Sequence, residues 1–311
     1  MLVALAGGVG AARFLRGLVR VVPPESVTVV TNTADDEEFH GLHVSPDLDT
    51  VTYTLAGAAH PVQGWGLKGD TFRVVEALAR YGAPTWFRLG DRDLATHLYR
   101  TARLRAGATL SEVTDEIRRA WGVACRLLPM TDDPVRTRIE VSTPTGPAEL
   151  ALQEWFVRDR AEPPVRAVRF LGAPQARPAP GLREAIAAAE TIVICPSNPV
   201  ISIGPILAVP GIRDALAARR DRVVAVSPIV GGRPVKGPAD RLMAPLGMEV
   251  SSVGVARAYA DVCRAVVIDH ADAGQVARIT ELGVEPVVTD TVMVDARVAA
   301  ALARETLRAV A

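Results

Sequence analysis

Cysteine and aromatic residues are both scarce in this chain, and each scarcity excludes something. The three cysteines, Cys125, Cys195 and Cys263, are widely separated and form no Cys-x-x-Cys pair. A disulfide framework and a thiolate zinc site are therefore both disfavoured. Aromatic residues make up 5% of the chain, against 49% hydrophobic residues in total. Alanine, valine, leucine and isoleucine must therefore fill the core.

An excess of charge of either sign is also absent. Basic and acidic residues number 35 each in 311 residues, whereas a protein that holds nucleic acid by its phosphates needs a basic surface. The apolar start, Met1–Ala6, has no basic lead-in and is followed at once by glycines, which indicates a buried strand rather than a signal peptide. No apolar run approaches the roughly 20 residues of a membrane span. We expect a cytoplasmic protein without nucleic-acid or membrane partners.

Short apolar runs alternate with helical patterns along much of the chain. Five runs are rich in β-branched residues and show no polar alternation, which predicts strands buried on both faces: Leu2–Ala6, Val27–Thr31, Thr191–Cys195, Arg222–Val226 and Ala265–Asp269. The helical patterns that follow are Ala11–Val19, Pro205–Val209, Ile212–Ala218, Ala239–Leu246, Asp272–Leu282 and Asp295–Ala309. The alternation predicts an α/β, Rossmann-like fold with a mostly parallel sheet and helices on both faces.

The middle of the chain departs from this alternation. Residues from about Asp70 to Gly122 have mainly helical patterns, and Arg136–Val141 and Ala148–Leu152 alternate like antiparallel strands. We therefore predict one catalytic domain over residues 1–311, with a helical and β lobe inserted at approximately 65–160.

A glycine-rich turn, Ala6–Arg13, joins the first predicted strand to the first helix. Backbone N–H groups of Gly8 and Gly10 there can approach a phosphate at the helix N-terminus. The dinucleotide pattern fails because Arg13 occupies the place of its last glycine, and no Gly-Lys-Ser/Thr sequence completes a P-loop. The alternative is a tight turn whose glycines are needed only for packing.

Two acidic motifs follow the second predicted strand. Asp35 and Asp36 lie directly after it, where parallel sheets bind ligands, and Mg²⁺ takes one or two carboxylates together with phosphate and water. Asp47 and Asp49 lie in the first turn after Pro46, a helix start. Because Asp47 and Asp49 are two residues apart, their side chains should point in different directions. We expect one of them to have a structural role and the other to reach the site of Asp35. The alternative interpretations are a solvated acidic loop and a capped helix.

Basic and polar residues mark three further loops. Arg88 and Arg92 lie in Trp86–His97, where they can bind a phosphate or carboxylate or form a salt-bridge network. Ser197 and Asn198 close the third predicted strand with hydroxyl and amide groups. Gly232 and Lys236 follow the fourth strand in a flexible loop suited to a polyphosphate, or to a solvated surface.

Taken together, these motifs resemble the phospholactate transferase family of coenzyme F420 biosynthesis. The resemblance covers about Leu2 to Gly247. Besides the glycine turn, it is carried in order by Asn32–Asp36, Pro46–Val51, Thr54–Gly57, Gly64–Gly66, Leu89–His97, Pro196–Leu207 and Ser227–Gly232. Ala34 and Cys195 depart from the pattern, because many relatives have glycine at both places.

The resemblance implies a Mg²⁺-dependent phosphotransferase with two small-molecule substrates. The terminal hydroxyl of 7,8-didemethyl-8-hydroxy-5-deazariboflavin would attack a guanosine-diphosphate-activated three-carbon acid, releasing GMP and forming a phosphodiester. The product would be dehydro-F420-0 from a phosphoenolpyruvyl donor, or F420-0 from a 2-phospho-L-lactyl donor. The Arg- and Ala-rich composition suggests a GC-rich bacterium, and relatives from such bacteria use the enolpyruvyl donor, which we therefore expect here. We also expect a homodimer.

The resemblance also implies roles for individual residues. Asp35 and Asp49 would be catalytic, with Asp49 orienting the attacking hydroxyl. Mg²⁺ would be held by Asp35 with Asp36, or with Asp49 as the alternative. The remaining roles fall into two groups: deazaflavin binding by Asp49, Arg88 and Arg92, and donor binding by Gly8, Gly10, Ser197, Asn198, Gly232 and Lys236.

A competing class is a nucleotide-sugar-binding regulatory protein of a related fold. It would explain the sheet and the glycine turn. It would not need the combination of Asn32–Asp36, Pro46–Thr50 and Leu89–His97. Binding of a yellow deazaflavin would separate the two classes.

Overall fold

The computed structural model describes residues 1–310 and is built on one large parallel sheet. Fourteen strands are present in these residues: β1 Leu2–Ala6, β2 Val27–Thr31, β3 Glu37–Phe39, β4 Leu42–Val44, β5 Arg126–Pro129, β6 Arg136–Thr143, β7 Gly146–Ala151, β8 Val165–Leu171, β9 Thr191–Ile194, β10 Val223–Val226, β11 Ile229–Val230, β12 Arg233–Pro234, β13 Ala265–Ile268 and β14 Glu285–Val288. The first two strands have the bounds that the sequence predicts, and the three other predicted strands differ by one residue at an end.

Seven of these strands form the central sheet, in the order β14-β13-β10-β9-β1-β2-β5. All neighbouring pairs in it are parallel. From β1 the chain builds one side through β2 and β5, and then crosses to β9 and builds the other side. The order therefore reverses between β1 and β9. Open α/β sheets bind ligands outside the carboxyl ends of the strands at such a reversal.

Twelve α-helices surround the strands: α1 Gly8–Leu18, α2 Pro46–Leu55, α3 Arg73–Leu78, α4 Asp93–Arg105, α5 Leu110–Ala120, α6 Leu182–Ala188, α7 Gly204–Ala208, α8 Ile212–Ala217, α9 Ala239–Met243, α10 Ser252–Tyr259, α11 Val276–Thr280 and α12 Ala296–Arg308. The predicted helix Asp272–Leu282 is divided, because a 3₁₀ turn over His270–Gln275 precedes α11. The predicted last helix corresponds to α12.

Each face of the central sheet has its own buried core. Within β1, Ala4 and Ala6 belong to a core with Phe14 of α1 and Leu302 of α12. Val3 and Leu5, on the other face, belong to a second core with residues such as Ile186 of α6 and Leu216 of α8. Two buried faces explain why the strands lack polar alternation. The predicted α/β class, with helices on both faces, is confirmed.

The middle of the chain forms helices and a small separate sheet. Helices α3, α4 and α5 lie within the predicted helical stretch, and β6 pairs antiparallel with β7 and β8. However, β5 lies between them in the chain and pairs with β2 at the edge of the central sheet. The region 65–160 therefore contributes one strand, β5, to the central sheet. Its small antiparallel sheet extends beyond the region to Leu171.

No helix in residues 1–310 is long and apolar enough to cross a membrane.

Candidate active site

The loops after β1, β2, β9 and β10 meet at one edge of the sheet. Ala6 pairs with Thr31 and Leu5 pairs with Ile194, so these strands end side by side. A cavity of about 990 Å³ opens at this edge. It is also lined by α2, the start of α4, the glycine-rich loop 57–69, and Thr291–Val294 after β14. Most of the residues predicted from the sequence to bind ligands reach it.

The glycine turn is fixed by contacts within the protein. The N–H of Gly7 donates to Ser197 Oγ at 3.3 Å, and the N–H of Gly8 donates to Asp47 Oδ1 at 2.8 Å. A Cβ on Gly10 would lie 2.3 Å from the carbonyl oxygen of Pro196. Glycine at this last position therefore serves close packing of two loops. Gly8 and Gly10 both line the cavity, but the Gly8 donor is already engaged by a carboxylate.

Asp35 and Asp47 form a pair of buried carboxylates in the cavity wall. Asn32 Nδ2 donates to Asp47 Oδ2 at 3.0 Å. Burial raises the pKa of Asp47 to about 6, against the lowering effect of the hydrogen bonds from Asn32 and Gly8. Burial, followed by the charge of Asp47, raises the pKa of Asp35 well above its usual range. Asp35 and Asp47 therefore lie close together, and no cationic side chain in residues 1–310 neutralises either of them.

Asp36, predicted as a metal ligand, lies close enough for its charge to raise the pKa of Asp35 and Asp47, but it makes its contacts outside the cavity. Its Oδ2 accepts hydrogen bonds from Ser45 Oγ at 2.7 Å and interacts with His43 Nε2 at 3.0 Å. The other oxygen is buried and has no partner in residues 1–310. Asp36 does not line the cavity, whereas Asp35 does. The structure thus brings Asp47, rather than Asp36, beside Asp35 in the cavity wall.

The pair Asp35–Asp47 fits a magnesium ion in charge and ligand type. Mg²⁺ is usually bound by one or two carboxylates and completes its shell with water and substrate phosphates. No group of three or more Asp, Glu, His or Cys side chains in the described part of the chain is arranged to hold a metal. A cation at Asp35 and Asp47 would therefore depend on oxygens supplied by the substrate.

Asp49 has a different environment, although it lines the same cavity. Arg100 of α4 holds it through two hydrogen bonds, one from Nη1 to Oδ2 at 3.0 Å and one from Nη2 to Oδ1. Arg100 is 2% exposed. His97 Nδ1 lies 3.7 Å from Asp49 Oδ2. The carboxylate that resemblance assigns to orienting the hydroxyl is thus held by a buried cation.

The network continues from His97 to Asp93 and Tyr53. His97 Nε2 lies 3.3 Å from Asp93 Oδ2, and the Tyr53 hydroxyl donates to Asp93 Oδ1 at 2.6 Å. Burial opposes ionisation of Asp93, but the hydrogen bond and charge of His97 prevail and lower its pKa. Burial, together with the charges of Asp49 and Asp93, raises the pKa of Tyr53 far above its usual value. The network therefore keeps Asp93 ionised and Tyr53 protonated.

Arg88 and Arg92, both predicted to bind the deazaflavin, are placed differently. Arg88 lines the cavity beside Trp86 and Phe87, and its guanidinium lies 4.0 Å from the centre of the Phe72 ring. Arg92 does not line the cavity, and its Nη1 donates to the carbonyl of Lys68 at 3.1 Å. Of the two arginines, only Arg88 therefore lies beside the aromatic residues of the cavity wall.

The predicted donor-binding residues are also divided. Ser197, Asn198 and Lys236 line the cavity, and Gly232 does not. Asn198 Oδ1 accepts from the N–H groups of Val200 and Ile201, capping the turn that follows. Lys236 Nζ donates to the carbonyl of Gln63 at 2.6 Å, which joins its loop to the loop 57–69.

Several cavity residues were not singled out from the sequence. Arg13 and Arg16 of α1 and the segment Thr291–Val294 line the cavity, and Arg100 supports it from behind. Arg100 lies three residues after His97 and seven after Asp93, so helical spacing places all three on one face. That spacing could have predicted from the sequence that Arg100 lies near Asp93 and His97. No sequence pattern predicted that Thr291–Val294, far along the chain, would line the cavity.

A family model described as 2-phospho-L-lactate transferase CofD matches residues 2–307. A phosphoenolpyruvate transferase of Streptomyces griseus subsp. griseus is 48% identical over 308 residues, covering 98% of this chain and 97% of the relative. One from Thermobifida fusca is 48% identical over 295 residues, covering 92% and 91%. One from Mycobacterium marinum is 44% identical over 283 residues, covering 86% of each.

Among solved structures, protein BH3568 of Bacillus halodurans has a TM-score of 0.61 at 17% identity, covering 93% of this chain and 92% of that one. A second structure of it, described as a member of the UPF0052 family, has the same TM-score and covers 97% and 98%. This likeness shows the fold alone.

The chain belongs to the 2-phospho-L-lactate transferase family. It is a transferase of coenzyme F420 biosynthesis, as the resemblance of its motifs implies.

Proposed function

We propose that this member of the family transfers a phosphoenolpyruvyl group from a guanosine-diphosphate-activated donor to 7,8-didemethyl-8-hydroxy-5-deazariboflavin. The acceptor hydroxyl oxygen bonds to the phosphorus that bears the enolpyruvyl group, the bond from that phosphorus to GMP breaks, and GMP leaves. Relatives at 44–48% identity are named phosphoenolpyruvate transferases, which supports the enolpyruvyl over the lactyl donor.

The observation that carries the proposal is the buried pair Asp35–Asp47 at the strand-order reversal. Both acids have raised pKa values and face a cavity large enough for two substrates. We propose that they hold Mg²⁺, which replaces the earlier expectation of Asp35 with Asp36. A bound Mg²⁺ would neutralise charge on the diphosphate as the leaving phosphate departs.

The residues of the Asp49 network would position the acceptor. Arg100 occupies one lone pair on each oxygen of Asp49, which leaves the other lone pairs free to accept a hydrogen bond from a hydroxyl. Since Arg100 and His97 are both buried, Asp49 is held in one orientation. The hydroxyl of the acceptor would be fixed by this carboxylate with its oxygen directed at the phosphorus, which is the main task in phosphoryl transfer.

The other end of the acceptor would lie against the aromatic wall. Trp86, Phe87 and Phe156 line the cavity together with Arg88. The rings of Phe39 and Phe87 are stacked with centroids 3.9 Å apart, and Trp86 meets both edge-on. This rigid cluster offers apolar area to a planar tricyclic ring, and Arg88 adds a cation beside it.

The test is the identity of the product. Purified protein, deazaflavin, Mg²⁺ and each donor in turn at equal concentration are analysed by mass spectrometry, with Asp35→Asn as the inactive control. The enolpyruvyl product is two hydrogens lighter than the lactyl product, and we expect it to form faster. Exclusive lactyl transfer would contradict the donor assignment, and absence of deazaflavin binding would contradict the function.

The proposal includes a homodimer that works in the cytoplasm. Sedimentation analysis of the purified protein measures the first property, and a fluorescent fusion in the source cell measures the second. A monomer at micromolar concentration would contradict the expected assembly without affecting the proposed reaction.

A further inference from the structure

Three basic side chains of the cavity wall belong neither to the Asp35–Asp47 pair nor to the Asp49 network. Arg13 and Arg16 lie on α1, and Lys236 lies in the loop after β10. Of the 35 basic residues in the chain, only Lys68 and Lys236 are lysines, and both line this cavity. A chain that otherwise uses arginine thus places both of its lysines here.

These three cations lack a partner of opposite charge in residues 1–310. Neither Arg13 nor Arg16 donates a hydrogen bond or forms an ion pair there. Lys236 donates to the carbonyl of Gln63, which is neutral. Burial, followed by the charge of Arg13, lowers the pKa of Lys236. Arg13 and Lys236 are thus close enough to affect each other, and like charges without an acidic partner favour the binding of an anion.

Asp295, an acidic residue near Arg16, already accepts hydrogen bonds within the protein. The charge of Arg16 contributes to the lowered pKa of Asp295, but the carboxylate of Asp295 caps α12. It accepts hydrogen bonds from the N–H groups of Arg297 and Val298, both at 2.8 Å. Arg16 therefore remains available to a ligand.

Two backbone donors of the glycine turn are already engaged within the protein. The N–H of Gly7 donates to Ser197 and the N–H of Gly8 to Asp47, and the close approach of Gly10 to Pro196 leaves no room for a phosphate between them. A phosphate near α1 can also meet cationic side chains further along the helix. Arg13 and Arg16 lie five and eight residues beyond Gly8, about 8 and 12 Å along the axis.

We propose that Arg13, Arg16 and Lys236 form the subsite for the nucleotide phosphate of the donor, the phosphate that leaves with the nucleoside. This inference rests on the proposed function and assigns residues to the leaving group. Guanidinium groups bind phosphate through paired, charge-assisted hydrogen bonds. The three cations would balance the negative charge that the leaving phosphate gains when its bond to the transferred phosphorus breaks.

The subsite is distinct from the carboxylate pair in the charge that it carries. A nucleoside monophosphate should therefore bind to it without Mg²⁺, whereas an intact diphosphate donor should need both regions. The two contributions can be separated by measuring GMP binding in EDTA.

The experiment is calorimetric titration of GMP into the full-length protein in EDTA, with wild type, an Arg13→Ala/Arg16→Ala double variant and Arg20→Ala. Arg20 lies just beyond the end of α1, exposed and away from the cavity, and is the matched control. Loss of two charge-assisted contacts should weaken GMP binding roughly 30-fold or more. Arg20→Ala should match wild type within twofold. Arg13→Lys/Arg16→Lys should recover part of the affinity.

Deazaflavin titration in the same variants shows whether the cavity remains intact, and we expect unchanged affinity. Equal GMP affinity in wild type and the double variant would overturn the subsite and leave the proposed function standing. If wild type binds inorganic pyrophosphate through these arginines but does not bind GMP, the subsite stands as a phosphate site and the proposed guanosine donor is wrong. Equal loss in Arg20→Ala would reduce the effect to general charge and also overturn the proposal.

Discussion

The cavity holds two pairs of buried carboxylates that differ in how their charge is balanced. Asp35 and Asp47, near the glycine turn, have no cationic partner and have raised pKa values. Asp49 and Asp93, near α4, are held by Arg100 and His97, and the pKa of Asp93 is lowered. The first pair therefore has no counter-charge in the described residues, whereas the second contacts the side chains of Arg100 and His97. We call Asp35 and Asp47 the open pair and Asp49 and Asp93 the balanced pair. Buried acids with perturbed pKa values mark candidate functional sites.

The largest expected effect tests the open pair. Asp35→Asn keeps the shape of the side chain and removes one charge, so it should remove the ability to hold Mg²⁺ while the protein stays folded by circular dichroism. We expect turnover to fall roughly a thousandfold, about 4 kcal/mol of transition-state stabilisation. EDTA should stop the wild type reversibly. Near-normal, EDTA-insensitive turnover of the folded variant would remove the distinction between the two pairs.

The converse change tests the balanced pair. Arg100→Leu leaves Asp49 buried without its cation, and breaking a buried ion pair in this way should lower the free energy of unfolding by about 3 kcal/mol or more. Urea denaturation measures it. Arg264→Ala is the control, because its pair with Glu285 is largely exposed and should contribute less than about 1 kcal/mol. Equal losses of unfolding free energy in the two variants would mean that the ion pair of Asp49 with Arg100 contributes little to stability.

The pH dependence of stability should differ in sign between Asp47 and Asp93. The pKa of Asp47 is about 6 in the folded protein, against an ordinary value of 3.8. Between these values the folded protein binds more protons than the unfolded chain, so stability without Mg²⁺ falls as the pH rises, by about 3 kcal/mol in all. Asp35, whose pKa is also raised, acts in the same direction. The lowered pKa of Asp93 acts oppositely.

The same titration should govern metal binding, since protons and Mg²⁺ compete for Asp47. Mg²⁺ affinity should decrease as the pH falls below about 6, and saturating Mg²⁺ should reverse the stability loss above it. Thermal unfolding from pH 5 to 8, with and without Mg²⁺, measures both effects. The prediction fails if stability is independent of pH across this range and Mg²⁺ changes nothing.

The smallest expected effect concerns the aromatic end of the cavity, on the side of the balanced pair. Arg88→Ala should weaken deazaflavin binding about fivefold, roughly 1 kcal/mol, because it removes an exposed cation beside the rings. Deazaflavin fluorescence measures the affinity. Arg92→Ala, predicted from the sequence to act likewise, should have less effect because Arg92 is directed at the Lys68 carbonyl outside the cavity wall. A larger loss in Arg92→Ala than in Arg88→Ala would show that the bound acceptor extends beyond this cavity.

Much of the fold could be predicted because the parallel strands are apolar on both faces. Leu2–Ala6 and Val27–Thr31 match their predicted bounds. β14 was missed, since Glu285 and Pro286 occupy half of its four residues. β5 was missed because it lies between helical and antiparallel patterns, and its partner β2 is about a hundred residues away. Local pattern carries no information about such a partner.

The sequence alone determined the fold class, the family and the loops that form the site. Parallel strands all end at one edge, so residues that follow Ala6, Thr31 and Ile194 had to meet. Only the tertiary structure decided which acids lie together. Asp47 joins Asp35 because Gly8 and Asn32 direct it to the cavity, and Asp49 is balanced because Arg100, 51 residues away, lies behind it. The burial of each acid and the cation beside it are set by packing between segments that are distant in the chain. Local sequence patterns therefore do not predict them.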